Sequence, residues 1–231
     1  MCGRYTLIDT DKLANRFDLE EATHGLKPEY NIAPSRAMPV IVAEDGKRKL
    51  ENIVWGLIPA WAKDPQTGNK PINARAENAP TSPVFRVPFR RHRCLVPASG
   101  FYEWQKLKQE KMPYYIHLKH ASLFAFAGLF DIWQDKAGKE IRSYTIITTE
   151  PNSLMLPIHD RMPAILHPED ESVWLDPTIQ DPDKLAPLLR PYEASEMETY
   201  TISRAVNKPT FNSPQLIQPE NYTDHQGELA M

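Results

Sequence analysis

Cysteine is nearly missing from this chain of 231 residues: only Cys2 and Cys94 occur, far apart and without CxxC or Cys/His spacing. A disulfide framework is excluded and a structural zinc site is disfavoured, so a reducing compartment is expected. Long apolar runs are missing as well. No stretch approaches the roughly 18 residues of a membrane span, and no apolar segment follows a basic start as in a secretory leader. The expectation is a soluble, intracellular, cytoplasmic protein with no membrane partner, no metal and no cofactor. Repeats and low-complexity tracts are absent. Net charge is only −3, which as a total says nothing in favour of a polyanion partner.

What is present is enough apolar material, 41% of residues, for a real core, and a single domain over residues 1–219 is expected, with 220–231 as a polar, disordered tail. The 22 prolines imply many short elements joined by irregular loops. Strands are expected at Arg4–Leu7, Met38–Val42, Lys47–Trp55, Cys94–Ala98, Pro113–Leu118, Leu123–Trp133, Ile141–Thr149, Ala164–Leu166 and Tyr200–Ser203, from their β-branched and aromatic content. Glu44-Asp45-Gly46 and Asp135-Lys136-Ala137-Gly138 read as hairpin turns. Short helices are expected at Asp9/Thr10 to Phe17, Asn78–Phe85, Pro151 to before Pro157, Glu169–Leu175 and Pro182–Leu189, and Tyr30–Pro34 reads as a loop. Trp55-Gly56-Leu57-Ile58-Pro59-Ala60-Trp61 is apolar but broken by Gly and Pro, neither helix nor central strand. The fold class is α+β, dominated by a curved, mainly antiparallel sheet.

Charge is segregated along the chain. Between Trp61 and Lys111 ten Lys/Arg face four acids, whereas Pro151 to Met231 holds five bases against thirteen acids. One electropositive face would let a near-neutral protein bind nucleic acid, although the cluster Arg86, Arg90, Arg91 and Arg93 is equally readable as a solvated run.

Three positions carry chemistry. Removal of Met1 before a small residue would leave Cys2 with a free α-amine beside its thiol. Such an aminothiol converts an aldehyde first to an imine, then to a five-membered thiazolidine as sulfur closes on the imine carbon. With ordinary pKa values of about 8 and 8.5, roughly a tenth of each group is nucleophilic at neutral pH. The plainer reading is a small buried apolar residue. Glu103 lies among Phe101, Tyr102 and Trp104, a setting that holds a carboxyl protonated unless the side chain points to solvent. His159 precedes Asp160, a pair that is structural as readily as it is a proton donor.

Cys2-Gly3-Arg4-Tyr5, Tyr30-Asn31-Ile32-Ala33-Pro34, Trp55-Gly56-Leu57-Ile58-Pro59, Ile72-Asn73-Ala74-Arg75-Ala76-Glu77, Gly100-Phe101-Tyr102-Glu103-Trp104, His159-Asp160-Arg161-Met162-Pro163 and Ser203-Arg204-Ala205-Val206-Asn207 together closely resemble the SRAP family, the SOS response-associated peptidase domain of abasic-site processing proteins. The resemblance runs to about Pro219 and suggests a bacterial member. It implies a bifurcated sheet with a barrel-like core and flanking short helices. It also implies a monomer that binds abasic sites in single-stranded DNA and links to them through Cys2. Asn73 would position substrate and amino terminus, Glu103 would act as acid and base beside the amine, and His159 would help open the sugar ring. Arg4 and Arg75 would hold phosphates, Arg161 and Arg204 would add DNA contacts, and Pro34 and Trp61 would fill the gap where bases unstack. Relatives can carry a second aromatic after the first; this chain has Ala62. Two other readings fit the same residues: a thiol peptidase, autoproteolytic or lyase-like in its side activity, and a non-covalent single-strand-binding module.

Overall fold

In the computed structural model, which describes residues 2–20, 25–108 and 110–222, thirteen strands are found among the described residues. They are β1 (Arg4–Leu7), β2 (Glu29–Ile32), β3 (Ala37–Glu44), β4 (Lys47–Trp55), β5 (Asn73–Arg75), β6 (Arg93–Ala98), β7 (Gly100–Lys106), β8 (Lys111–Leu118), β9 (Phe124–Gln134), β10 (Glu140–Thr149), β11 (Met162–Pro163), β12 (Ile165–Leu166) and β13 (Met197–Thr201). The α-helices are short: α1 (Leu13–Phe17), α2 (Arg86–Arg91), α3 (Glu171–Leu175) and α4 (Pro182–Leu185), several extended by a 3-10 turn. This is the expected α+β class with a predominance of sheet.

Five strands close a barrel. β3 pairs with β4 and β6, β6 with β9, and β9 with β10, all antiparallel, and the parallel contact of Ser143 and Tyr144 with Val54 and Trp55 joins β10 to β4. The β3–β4 hairpin turns through Asp45 and Gly46, both at positive φ (52° and 76°), the handedness that matches the twist of the flanking strands. At Gly56, φ 121°, the chain leaves the barrel, and β10 takes β5 as its next parallel neighbour from Ile146↔Asn73 to Thr148↔Arg75. That exchange sets Asn73 and Arg75 at the barrel's end.

The barrel is filled by aromatics. Trp55 stacks on Tyr144 at 6.2 Å and meets the Tyr5 ring edge-on at 5.3 Å, while the Tyr5 and Tyr144 hydroxyls share a 2.8 Å hydrogen bond. Each such ring pair contributes about 0.5–1.5 kcal/mol beyond its buried area. A second sheet, ordered β13-β8-β7-β1-β2, lies alongside. Its far face is covered by the segment after β13, where Ile202, Val206 and Leu216 pack on Tyr102 and Tyr115. Gly100 is required there: a Cβ would lie 2.3 Å from the Tyr115 ring.

Four local expectations change. Pro80 and Pro83 interrupt the segment expected as a helix at Asn78–Phe85, which forms turns, and α2 forms instead over the basic Arg86–Arg91. The stretch after Pro151 is a run of turns. Tyr30 to Ile32 belong to β2 rather than a loop, since they pair with β1. Glu220 N–H donates to Thr201 O and the Tyr222 hydroxyl to Ile202 O, so the chain remains anchored past 219; residues 223–231 of the expected tail lie outside the described residues.

Candidate functional site

The ladder between β1 and β7 pairs Thr6 with Gly100, Tyr5 with Phe101 and Arg4 with Tyr102. Continuing it brings Gly3 and Cys2 alongside Glu103 and Trp104, where β7 runs on past the start of β1. An open cleft of ≈ 830 Å³ lies here, lined by Glu103, Trp104, Lys106, Lys111, Ile158, His159, Asp160 and Asn207. Glu103 faces it from the inner side of the strand, only 2% exposed. Burial pushes its carboxyl above the ordinary value, opposed by the positive charge at the amino end of the chain and by His159. The solvent-facing alternative for Glu103 is therefore excluded.

Cys2 is fully buried, and its thiol donates weakly to Arg4 O at 3.9 Å. Burial first, and then the Glu103 charge, pushes the thiol far above its usual range. The expected tenth of thiolate at neutral pH is thus not present in this environment; a buried sulfur keeps its proton.

His159 is held by turns rather than by a helix. Ile158 and His159 N–H both donate to Met155 O, Asn152 Oδ1 receives Met155 N–H at 2.9 Å, and the Gln105 amide donates to Pro157 O at 3.0 Å, docking the loop on β7. His159 Nδ1 lies 3.0 Å from Arg161 N–H and 2.9 Å from Asp160 Oδ1. The two contacts ask for opposite proton positions. The backbone bond is fixed by the chain, whereas the Asp160 side chain is 86% exposed and screened by solvent, so Nδ1 is the acceptor and Nε2 carries the hydrogen.

Asn73 and Arg75 enter from the other sheet on one face of β5. Asn73 Nδ2 reaches Ile146 O only at 3.5 Å, and its Oδ1 is buried with no hydrogen-bond partner among the described residues. The neighbouring Thr148 hydroxyl is in the same condition. Arg75 is exposed, and its guanidinium makes no hydrogen bond or ion pair among the described residues. Arg161 is different: its side chain is buried, gives both Nη atoms to Glu77 at 2.9 Å and reaches Thr148 O at 2.6 Å. It staples the segment after β5 to the His159 loop, so both Nη atoms are engaged within the fold.

Arg4 gives Nη1 to Asn31 Oδ1 at 2.8 Å and to Val206 O at 3.0 Å, so part of its guanidinium is structural. Pro34 sits at a turn whose next residue, Ser35, has φ 71° and donates its N–H to Trp55 O at 2.8 Å. Trp61 is 67% exposed on a turn fixed from both sides: Ala60 N–H donates to Asp131 Oδ2 at 2.8 Å, and the Trp133 indole donates to Ala62 O at 2.7 Å. Arg204 is paired with Glu110 at 2.5 Å and lies over the Tyr222 ring at 5.3 Å. Of the basic run, Arg93 is internal, donating to carbonyls that include Trp174, Phe89 and Ile179; burial lowers its pKa to about 10.

The structure thus brings Glu103 and His159 to one cleft, with Cys2 buried on the inner side of Glu103, and sets Asn73 and Arg75 at the end of the neighbouring barrel. The sequence did not single out Thr148, Lys106 or Lys111, and Trp104 and Asn207 stood out only as members of longer motifs. Thr148 gave no signal beyond strand propensity, and the lysines none beyond charge. No group of His, Cys, Asp and Glu able to hold a metal is found among the described residues, and no helix among them is long and apolar enough to cross a membrane.

Known proteins are similar to this one along nearly the whole chain. The family model for SOS response associated peptidase (SRAP) matches residues 1–209. Abasic site processing protein YoqW of Bacillus subtilis (strain 168) is 46% identical over 94% of this chain and 99% of its own length. Abasic site processing protein HMCES of Xenopus tropicalis is 33% identical over 87% of this chain and 69% of its own. A crystal structure of a protein from Bacteroides thetaiotaomicron superposes with a TM-score of 0.85 at 31% identity, covering 95% of this chain and 100% of that one. The family model over residues 1–209, with relatives at 46% and 33% identity, places this chain in the SOS response associated peptidase family.

Proposed function

We propose that the protein recognises abasic sites in single-stranded DNA, or where a strand begins at a junction, and traps them covalently through Cys2 once Met1 has been removed, acting as a monomer. The relatives' names as abasic site processing proteins support the substrate. The observation that carries the chemistry is Glu103, buried, with a raised carboxyl pKa, between Cys2 and a cleft that His159 also lines.

An abasic deoxyribose is mostly a closed hemiacetal. His159 Nε2–H hydrogen-bonds the ring oxygen as the C1′–O bond opens; the proton of the C1′ hydroxyl passes through solvent to that oxygen, leaving an aldehyde at C1′ and a hydroxyl at C4′. The α-amine of Cys2 then adds to C1′, and Glu103 takes a proton from nitrogen and returns it to the leaving hydroxyl, so that one water departs and an imine remains. The thiol closes on the imine carbon; its proton passes to nitrogen, completing the thiazolidine with no further loss of atoms. Asn73 Oδ1 accepts a hydrogen bond from the amine. Buried Cys2 reacts as the second nucleophile, because the ring closure does not need a standing thiolate. A peptidase mechanism does need one, and that weighs against proteolysis as the main activity.

Arg75 and the free part of Arg4 hold phosphates without regard to sequence, and Trp61 and Pro34 occupy the break in base stacking. A denaturing gel with a single-stranded abasic oligonucleotide tests the reading. The wild-type chain is expected to give a covalent band that Cys2→Ala abolishes; binding without that band, or cleavage of a peptide instead, would overturn it.

A further inference from the structure

The last ladder pair of the β7–β8 hairpin is Lys106 opposite Lys111. Direct cross-strand partners project to the same face with Cβ atoms about 5 Å apart, and like charges so placed repel. Both lysines are exposed, and neither makes a hydrogen bond or ion pair among the described residues. The acid next to them in the turn, Glu110, is taken by Arg204. Asp160, the other exposed acid at this cleft, lies against His159. Two uncompensated ammonium groups therefore flank the cleft that also presents Glu103 and His159. Lys106 is three residues of extended strand beyond Glu103, about 10 Å along the backbone, so the two side chains leave opposite faces of β7 and meet at the cleft that both line.

We propose that Lys106 and Lys111 form a clamp for one backbone phosphate of the DNA strand, beside the abasic sugar. The inference rests on the function proposed above and deepens it, since it fixes one direction in which the strand leaves Glu103 and His159. A phosphate removes the repulsion between the two ammonium groups and accepts hydrogen bonds from both, which an apolar or cationic partner cannot do. Trp104, from the same face of β7 and pinned by its indole bond to Asn207 Oδ1 at 2.8 Å, forms the wall between the clamp and the reacting carbon.

The test uses the full chain as wild type, as Lys106→Ser/Lys111→Ser, as Lys106→Arg/Lys111→Arg, and as Lys136→Ser/Lys139→Ser on the distant β9–β10 turn. Affinity for an undamaged single-stranded oligonucleotide is measured against salt, with thermal melting as the check on folding. The serine pair is expected to lower the log–log salt slope by about 0.7, the value for one phosphate on a single strand, while the arginine pair and the distant control keep it. Abasic oligonucleotides carrying one neutral methylphosphonate linkage, moved stepwise along both sides of the site, should show one position that weakens wild type and leaves the serine pair unaffected. An unchanged slope, or equal losses for both proteins at every linkage, would overturn the clamp. If the wild-type chain traps no abasic DNA, the parent reading fails by itself, and the salt slope on undamaged DNA still decides the clamp.

Discussion

His159 Nδ1 accepts the backbone N–H of Arg161 at 3.0 Å, and this bond decides which ring nitrogen carries hydrogen toward the cleft. With Nδ1 occupied as acceptor, Nε2–H is the donor, and the same Arg161 whose backbone sets the tautomer fixes the loop through Glu77.

Replacing His159 by Ala should therefore slow single-turnover crosslinking by about 10²–10³-fold, the usual weight of a hydrogen-bond donor aimed at charge developing on oxygen. Affinity for undamaged single-stranded DNA should stay within twofold. A comparable loss of that affinity would make His159 a binding residue.

Glu103→Gln separates catalysis from stability. Burial raises the carboxyl pKa in the folded chain, so the acid contributes without penalty below its unfolded value and destabilises the fold as pH rises through the folded value. The Gln variant is expected to melt higher than wild type at pH 7, and the difference should vanish below about pH 4.3, the unfolded value for glutamate. Crosslinking by the same variant should fall. A variant that melts lower at pH 7 would show that Glu103 is held ionised.

Arg75 and Arg161, which share no hydrogen-bond partner among the described residues, should separate cleanly. Arg75→Ala removes an exposed, unengaged guanidinium: the salt slope for single-stranded DNA should drop by about 0.7 with melting unchanged. Arg161→Met breaks two bonds to Glu77 and one to Thr148 O, and should cost about 2–3 kcal/mol in urea unfolding with the slope unchanged. The reverse pattern would return Arg161 to the DNA interface.

Much of this arrangement was legible in the sequence, and the exceptions have physical causes. The β3–β4 hairpin followed from Asp45-Gly46, because only residues tolerant of positive φ make that turn. The helix expected before Arg86 failed on Pro80 and Pro83, whose rings and missing N–H groups outweigh the polar spacing. Glu103 and His159, which line one cleft, were singled out by their neighbours in sequence. The structural engagement of Arg161 was not legible, because the two-pronged contact with Glu77 joins residues distant in the chain and leaves no local mark. Lys106 and Lys111 were visible only as charge until the ladder set them face to face.

Trp61→Ala should weaken binding to single-stranded DNA by about 1–3 kcal/mol, the contribution of one base stacked on an aromatic ring. Because the side chain is 67% exposed, melting should not move. Equal weakening on continuous duplex would show that the indole does not read unstacked bases.

The central claim is that an amino-terminal aminothiol, not a thiol alone, is the reactive group, and intact-mass measurement of the adduct with an abasic oligonucleotide tests it most directly. The mature chain should lack Met1, and the adduct should equal protein plus DNA minus one water, unchanged by borohydride because the ring is closed. Cys2→Ser should lose the same water but gain two hydrogens on borohydride treatment, as an open imine does. A stable adduct of full mass, with no water lost, or one formed equally well by a chain that keeps Met1, would contradict the account.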